Sequence, residues 1–217
     1  MSHLLCLKLH PFTRVAVLVV VALASVACGG DGRRLPEPGT NGATPRPTTV
    51  TPVTADIFAG ASDTEFALRS PSVSFGEMLP ARHARDGGNV PPELRWTNVP
   101  PGTEELAVIM TDLSADGFVH WVMTGIDPMG GNTIYEALVP PGAVQARNDF
   151  GELGWGGPAP PAGDEAHTYA IRLLALGQTS GIQDGERGAD LIPDLEGKAI
   201  GMAELVVFYR QAVAVDP

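Results

Sequence analysis

Short apolar runs alternate with polar or proline-rich turns along most of the chain, and only the N-terminal part departs from this pattern. Residues 15–27 form one continuous apolar run, and Lys8 and Arg14 precede it. The run is shorter than the roughly 20 residues of a membrane-spanning helix, whereas its length and its basic flank are typical of a secretory signal. We therefore predict that residues 1–27 are a signal peptide that directs export.

The junction after the apolar run predicts a lipid anchor. Ser25, Val26 and Ala27 lead into Cys28, and two glycines follow. This arrangement resembles a bacterial lipobox, in which the cysteine is acylated and becomes the first residue of the mature chain. Ser25 stands where a lipobox usually has leucine, and plain secretion with an incidental cysteine is the alternative. We predict lipidation at Cys28 and a place on the membrane of the bacterial cell envelope.

Residues 28–55 are rich in proline, glycine and threonine and contain few apolar side chains. Such a segment cannot bury enough surface to offset the entropy lost on ordering, so it is predicted to be a disordered tether. The remaining residues, 56–217, are the predicted folded domain.

Within that domain the apolar segments are short and rich in β-branched and aromatic residues, which indicates strands. One segment, residues 189–196, is typical of a short helix. The whole chain has 20 prolines and 26 glycines, many of them in turns between the segments. We therefore predict an all-β domain, either a β-sandwich or a Greek-key domain, with one or two short helices. The predicted strands cover residues 66–70, 93–97, 106–111, 118–126, 169–176 and 203–209.

Charge and cysteine content exclude several classes of function. The formal net charge is −11, and it becomes −13 once residues 1–27, which contain two cations and no Asp or Glu, are removed. Lys8 and Lys198 are the only lysines, so nucleic acid is not an expected partner, because phosphate backbones bind clustered cations. The only cysteines are Cys6 and Cys28, which excludes a thiol nucleophile or a cysteine-ligated metal in the mature domain.

Side-chain alternation places three polar residues on otherwise apolar strand faces, at or near strand ends: Asp112, His120 and His167. Polar groups in such positions need either a partner or a ligand. The predicted rows are Leu106, Val108, Met110 and Asp112 on one strand; Phe118, His120, Val122 and Thr124 on the next; and His167, Tyr169, Ile171 and Leu173 on a third.

Three further interpretations concern the chemistry of these residues. The spacing of His83, His120 and His167 carries no metal-site signature, so no metal is predicted. Residues 154–163 are rich in glycine and proline, and they form either an anion-binding set of backbone amides or a rigid surface loop. Ser114 lies close to Asp112 and His120 in sequence, which suggests a weak hydrolase as an alternative, although no nucleophile elbow is present.

Five segments in order resemble the phosphatidylethanolamine-binding protein family, and most closely its bacterial, Raf kinase inhibitor-like branch. The resemblance spans residues 66–210 and implies a Greek-key β-sandwich with a small pocket for phosphate-like or carboxylate groups, no cofactor and no enzymatic activity. The segments are residues 85–96, 99–103, 118–122, 147–151 and 157–169. The pocket residues that the resemblance implies are Asp112, His120, Gly157, Pro160, His167 and Tyr169.

The departures from the family pattern lie at the rim of this pocket. Residues 112–116 have lost both prolines of the family's loop, and Ser114 replaces its second aspartate, which predicts a looser rim. The expected function is that of an exported, lipid-anchored protein that binds a small anionic or phospholipid-headgroup-like ligand. An inhibitor or interaction module for an envelope protease or other envelope protein is the alternative. In a further alternative the pocket is a relic, and Asp112 and His120 satisfy each other.

Overall fold

The computed structural model describes residues 62 and 64–213. The predicted signal, the lipidation site at Cys28 and the tether lie outside these residues. Among the helices of the described part, none has the length and apolar character needed to cross a membrane.

The strands form two antiparallel sheets. The small sheet has the order β1-β2-β5, and the large sheet has the order β6-β4-β3-β7-β8. β3 therefore lies at the centre of the large sheet, with β4 on one side and β7 on the other. The strands are β1 (Ala67–Arg69), β2 (Leu94–Thr97), β3 (Glu105–Asp112), β4 (Phe118–Ile126), β5 (Thr133–Ile134), β6 (Val144–Gln145), β7 (His167–Leu176) and β8 (Ala199–Tyr209).

The main hydrophobic core lies between the two sheets. Leu68 and Trp96 of the small sheet are buried against Met110 and Ile171 of the large sheet. These residues come from the short apolar segments that predicted the strands, and side chains alternate between the core and the opposite face except where β4 departs from regular register. Burial of this apolar surface is the main force that holds the two sheets together.

The helix α1 (Gly188–Lys198) covers the opposite face of the large sheet. Leu195 of α1 is fully buried there with Ile109, Val122 and Leu174. The sheet is thus buried on both faces, which explains why β3 reads as a continuous apolar run rather than as an alternating one.

The structure confirms the all-β prediction and the single short helix. The predicted strand at residues 118–126 matches β4, whereas β8 begins four residues earlier than predicted, directly after α1. Sequence patterns missed β5 and β6, which have two residues each, and the 3₁₀ turn Ala81–His83. Elements this short carry no periodicity, and their position depends on the strands to which they pair.

Candidate ligand-binding site

Asp112 ends β3 at the edge of the core between the sheets, in the row that includes Met110. Its side chain is buried, and both carboxylate oxygens accept hydrogen bonds. Oδ1 accepts from the backbone N–H of Ser114 at 2.8 Å, and Oδ2 accepts from Nδ1 of His167 at 2.8 Å. The carboxylate is therefore fixed in place and orients the imidazole of His167.

His167 is the first residue of β7 and is half-buried. Because its Nδ1–H donates to Asp112, its Nε2 is the ring atom that remains for other contacts; the Asp164 carboxylate lies 3.9 Å from it. The imidazole stacks on Tyr169, with 6.4 Å between ring centroids. The alternative in which Asp112 and His120 satisfy each other does not match the structure, because the Asp112 carboxylate accepts from His167 and Ser114 instead.

His120 lies at a β-bulge in β4. Met110 is opposite Trp121, and Thr111 is opposite Val119, so His120 has no partner across the β3–β4 ladder. An extra residue of this kind bends the strand and redirects its side chain. The bulge thus turns His120 toward the start of β7.

The bulge also changes which residues share a face. Val119 and Val122 both pack on the helix side of the large sheet. The ring of His120 instead lies 5.1 Å from that of Phe118 and 5.3 Å from that of Tyr169. The predicted row Phe118, His120, Val122 and Thr124 is therefore wrong beyond His120, because the extra residue breaks the alternation.

A loop after β6 holds the bulge in place. The carboxylate of Asp149 accepts a hydrogen bond from the backbone N–H of Val119 at 2.8 Å. The backbone N–H of Asp149 in turn donates to the Val119 carbonyl at 2.9 Å. The buried side chain of Asn148 organises the turn by accepting from the N–H groups of Phe150 and Glu152. Sequence reasoning gave Asn148 and Asp149 no role, although both belong to the segment 147–151 that carries the family resemblance.

The surroundings of His120 keep it neutral. Its Nδ1–H donates to the Gly156 carbonyl at 2.7 Å, and the ring is enclosed by Phe118, Phe150 and Tyr169. Burial lowers the pKa of His120 more than the Gly156 carbonyl and the Asp112 charge raise it. Its Nε2 carries a lone pair and has no hydrogen-bond partner among the described residues.

A cavity of about 120 Å³ lies where these side chains meet, between the ends of β3, β4 and β7. We call it the His–Asp cavity. Four of the six predicted site residues line it, namely Asp112, His120, Pro160 and His167. The other lining residues, which sequence reasoning did not single out, are Ala115, Phe118, Phe150, Ala159 and Pro161.

The other two predicted site residues lie behind the cavity wall. The N–H of Gly157 donates to the side-chain oxygen of Asn89 at 2.8 Å, so this donor is already engaged within the protein. A Cβ on Gly157 would lie 2.2 Å from the His83 carbonyl, so only glycine fits this close approach of two loops.

Tyr169 is fully buried beneath the two imidazoles, and its hydroxyl has no hydrogen-bond partner of good geometry within the described residues. Burial, followed by the nearby charge of Asp112, raises the pKa of this hydroxyl. Tyr169 therefore supports the histidines from below as a neutral, closely packed ring.

The hydrolase alternative lacks a matching geometry. The Ser114 hydroxyl accepts a hydrogen bond from the N–H of Thr168 at 3.0 Å, and no hydrogen bond in the described part of the chain joins it to His120 or His167. The rim that was predicted to be loose is held by the hydrogen bond from Leu113 N–H to the Thr168 carbonyl. In residues 62 and 64–213 no three His, Cys, Asp or Glu side chains are grouped as metal ligands.

Comparison with known proteins defines the class to which this sandwich belongs. The family model described as "Phosphatidylethanolamine-binding protein" matches residues 69–210. A crystal structure of Escherichia coli YbcL, described as a new member of the mammalian PEBP family, superimposes with a TM-score of 0.64 at 32% identity. That match covers 68% of this chain and 99% of YbcL.

Two relatives extend the comparison. A UPF0098 protein of Methanothermobacter thermautotrophicus is 37% identical over 139 residues, which cover 61% of this chain and 91% of that protein. The "Putative lipoprotein LppC" of Mycobacterium tuberculosis is 34% identical over 199 residues, which cover 90% of this chain and 94% of that protein. The chain belongs to the phosphatidylethanolamine-binding protein family.

Proposed function

We propose that the domain binds a small phosphate-like or carboxylate ligand, of the kind offered by free phosphate or a phospholipid headgroup, in the His–Asp cavity. The observation that carries this proposal is that Asp112, His120 and His167, from three different strands, converge on one small cavity. Each Nδ1 atom of the two histidines is engaged by the protein. The two Nε2 atoms are therefore the ring atoms available to a ligand.

The size of the cavity limits the ligand. Its volume of about 120 Å³ is well below the roughly 300–1,000 Å³ of pockets for drug-sized molecules. A headgroup-sized acid fits this volume, whereas an acyl chain or a folded peptide does not. The function is accordingly recognition of one small polar group.

The proposal specifies which form of His167 donates to an anion. Nε2 of His167 donates only when the ring is protonated, because its Nδ1 already carries the hydrogen that Asp112 accepts. In that form His167 is a charge-assisted donor.

The proposed location is the bacterial cell envelope, with the domain held by an acyl group on Cys28. The apolar run of residues 15–27 and the lipobox-like residues before Cys28 support this location. The similarity to a mycobacterial protein named as a lipoprotein, which extends over 90% of the chain, is consistent with it.

The binding proposal is tested by following histidine-ring NMR signals during titration with phosphate and phosphoethanolamine at pH 6. We expect saturable shifts of the His120 and His167 signals and no shift of His83, whose ring lies outside the cavity. His120→Ala is expected to abolish the shift of the His167 signal, whereas His83→Ala, the same change at another buried histidine, is expected to keep the shifts of both His120 and His167. No saturable shift at millimolar ligand would refute the proposal.

A further inference from the structure

The His–Asp cavity faces its ligand mainly with hydrogen-bond acceptors. Because the Nδ1–H of His120 donates to the Gly156 carbonyl, the Nε2 atom of the neutral ring presents a lone pair to the cavity. The Asp112 carboxylate is an acceptor only, and Pro160 and Pro161 in the wall have no N–H group. A ligand that has only hydrogen-bond acceptors therefore has few donors to bind in this cavity.

The charges around His120 strengthen this preference. Asp112 faces it from β3, and Asp149, which binds the bulge, adds a second negative charge. Tyr169 of β7 is neutral, and the Asp164 carboxylate lies beside His167. These groups together disfavour a fully deprotonated dianion.

The nearby cations do not reach the cavity. Arg187 pairs with Asp149 at 3.5 Å. Arg85 lies over the Phe150 ring at 4.0 Å and is bound to Glu152 on the surface. No arginine or lysine is among the residues that line the cavity, so within the described chain only protonated His167 supplies positive charge to it.

Resting on the proposed function, we infer that the cavity selects oxyacids that carry their own acidic proton, with the ligand O–H donating to Nε2 of His120. The chemical class is the monoanion of phosphate or of a phosphomonoester. Its O–H satisfies the lone pair of His120, and an anionic oxygen accepts from Nε2 of protonated His167. No bond is made or broken, and the proton stays on the ligand.

This arrangement excludes two close analogues for one reason. Sulfate has the tetrahedral shape of phosphate but carries no proton at neutral pH. A phosphodiester such as dimethyl phosphate has the single charge of the phosphate monoanion but no O–H. Each would place a lone pair against the lone pair of His120, and sites that require a hydrogen-bond donor reject analogues lacking it far more strongly than shape alone would.

The inference is tested by calorimetric titration of the purified full-length chain at pH 6 and constant ionic strength, with inorganic phosphate, sulfate and dimethyl phosphate. The second pKa of a phosphomonoester is about 6, so about half of the molecules of a ligand of this class retain a proton there. Dimethyl phosphate stands for the phosphodiester of a lipid headgroup, so this arm distinguishes a headgroup from free phosphate as the source of the ligand. We expect phosphate to bind at least about tenfold more tightly than either analogue.

A variant identifies the atom responsible. His120→Asn keeps a donor for the Gly156 carbonyl and removes the acceptor at Nε2, so phosphate should lose its advantage over sulfate. Equal binding of phosphate and sulfate by the unmodified chain, or a preference that survives His120→Asn, would overturn this inference and leave the proposed function intact. If none of the three ligands binds, the proposed function itself fails.

Discussion

At the scale of single residues, the two buried histidines show how the fold selects a protonation state. His83 is fully buried, its Nδ1–H donates to the Val90 carbonyl at 2.8 Å, and its Nε2 has no partner within the described residues. Burial is the largest cause of its lowered pKa, as it is for His120. Burial therefore disfavours the protonated form of both rings in the folded chain, and both accept a proton more readily in the unfolded chain.

The first prediction concerns stability against pH. The folded pKa values of His83 and His120 lie below the unfolded value of about 6.5. Near and below pH 6.5 the unfolded chain therefore binds more protons at these two histidines than the folded chain does. The free energy of unfolding is then at its full value above that pKa and falls as pH drops below it. Each histidine contributes a slope of up to about 1.4 kcal/mol per pH unit.

The measurement is urea denaturation at several pH values between 7.5 and 5.5. His83→Asn should reduce the slope by the contribution of one histidine, whatever it does to stability at pH 7.5. A free energy of unfolding that does not change with pH in this window would contradict the assignment of both rings as neutral.

The same residues show what alternation could and could not predict. Asp112 and His167 were placed on the correct faces, because β3 and β7 pair in continuous register from Glu105 to Asp112. For His120, the predicted row of residues on its face was wrong beyond His120 itself, because the bulge in β4 produces no signal in the hydrophobic pattern. A bulge depends on hydrogen bonds to a distant segment, here Asp149, and short-range periodicity does not contain that information.

At the scale of elements, the loop that contains Asp149 gives β4 its shape at the site. The carboxylate of Asp149 accepts a hydrogen bond from the backbone N–H of Val119, the residue next to the unpaired His120 of the bulge. The same loop places Phe150 against the ring of His120, with 5.5 Å between centroids. One segment thus fixes both the position of His120 and the apolar wall around it.

The second prediction follows from this hydrogen bond. Asp149→Ala leaves the N–H of Val119 without its acceptor, and it should reduce the free energy of unfolding by about 1–3 kcal/mol and weaken phosphate binding. Asp149→Asn retains a side-chain oxygen that can accept the same hydrogen bond, so it should preserve most of both properties. Chemical denaturation and calorimetry of the two variants measure these effects.

The outcome separates two roles of the side chain. If Asp149→Asn reduces stability and phosphate binding as much as Asp149→Ala does, the ion pair with Arg187 rather than the hydrogen bond from Val119 is the important contact. If neither variant changes stability or binding, the bulge is held by the β-sheet alone, and the loop is not needed to position His120.

At the scale of the whole molecule, the order of the strands in the large sheet brings the site residues together. Asp112, His120 and His167 lie on β3, β4 and β7, which are neighbours in the large sheet although β7 is far from β3 in sequence. Hydrophobic patterns predicted these three strands but not their order, because pairing depends on long-range contacts. The order was available only through resemblance to a family of known fold, and that resemblance did not reveal that Asn89 engages the N–H of Gly157.

The last prediction concerns how the whole chain is held in the cell. The proposed anchor is an acyl group on Cys28, and the predicted tether follows it. If residues 1–27 are removed as predicted, the chain has a net charge of −13, which opposes adsorption to an anionic membrane, so attachment should depend on the acyl chain and not on the protein surface. Cys28→Ser is therefore expected to move the protein from the membrane fraction to the soluble exported fraction and to abolish incorporation of labelled palmitate.

Cys6→Ser is the matched control, because Cys6 lies in the predicted signal and is absent from the mature chain. It should leave both labelling and fractionation unchanged.

Membrane association that persists in Cys28→Ser without palmitate would show that the segment of residues 15–27 is retained as an anchor or that the folded domain binds lipid directly. If residues 15–27 are retained as an anchor, the purified protein keeps its N-terminus, and mass spectrometry measures this directly. If the folded domain binds lipid directly, the chain from residue 56 onward floats with vesicles despite its charge, and in that case the His–Asp cavity would meet its ligand at the bilayer surface.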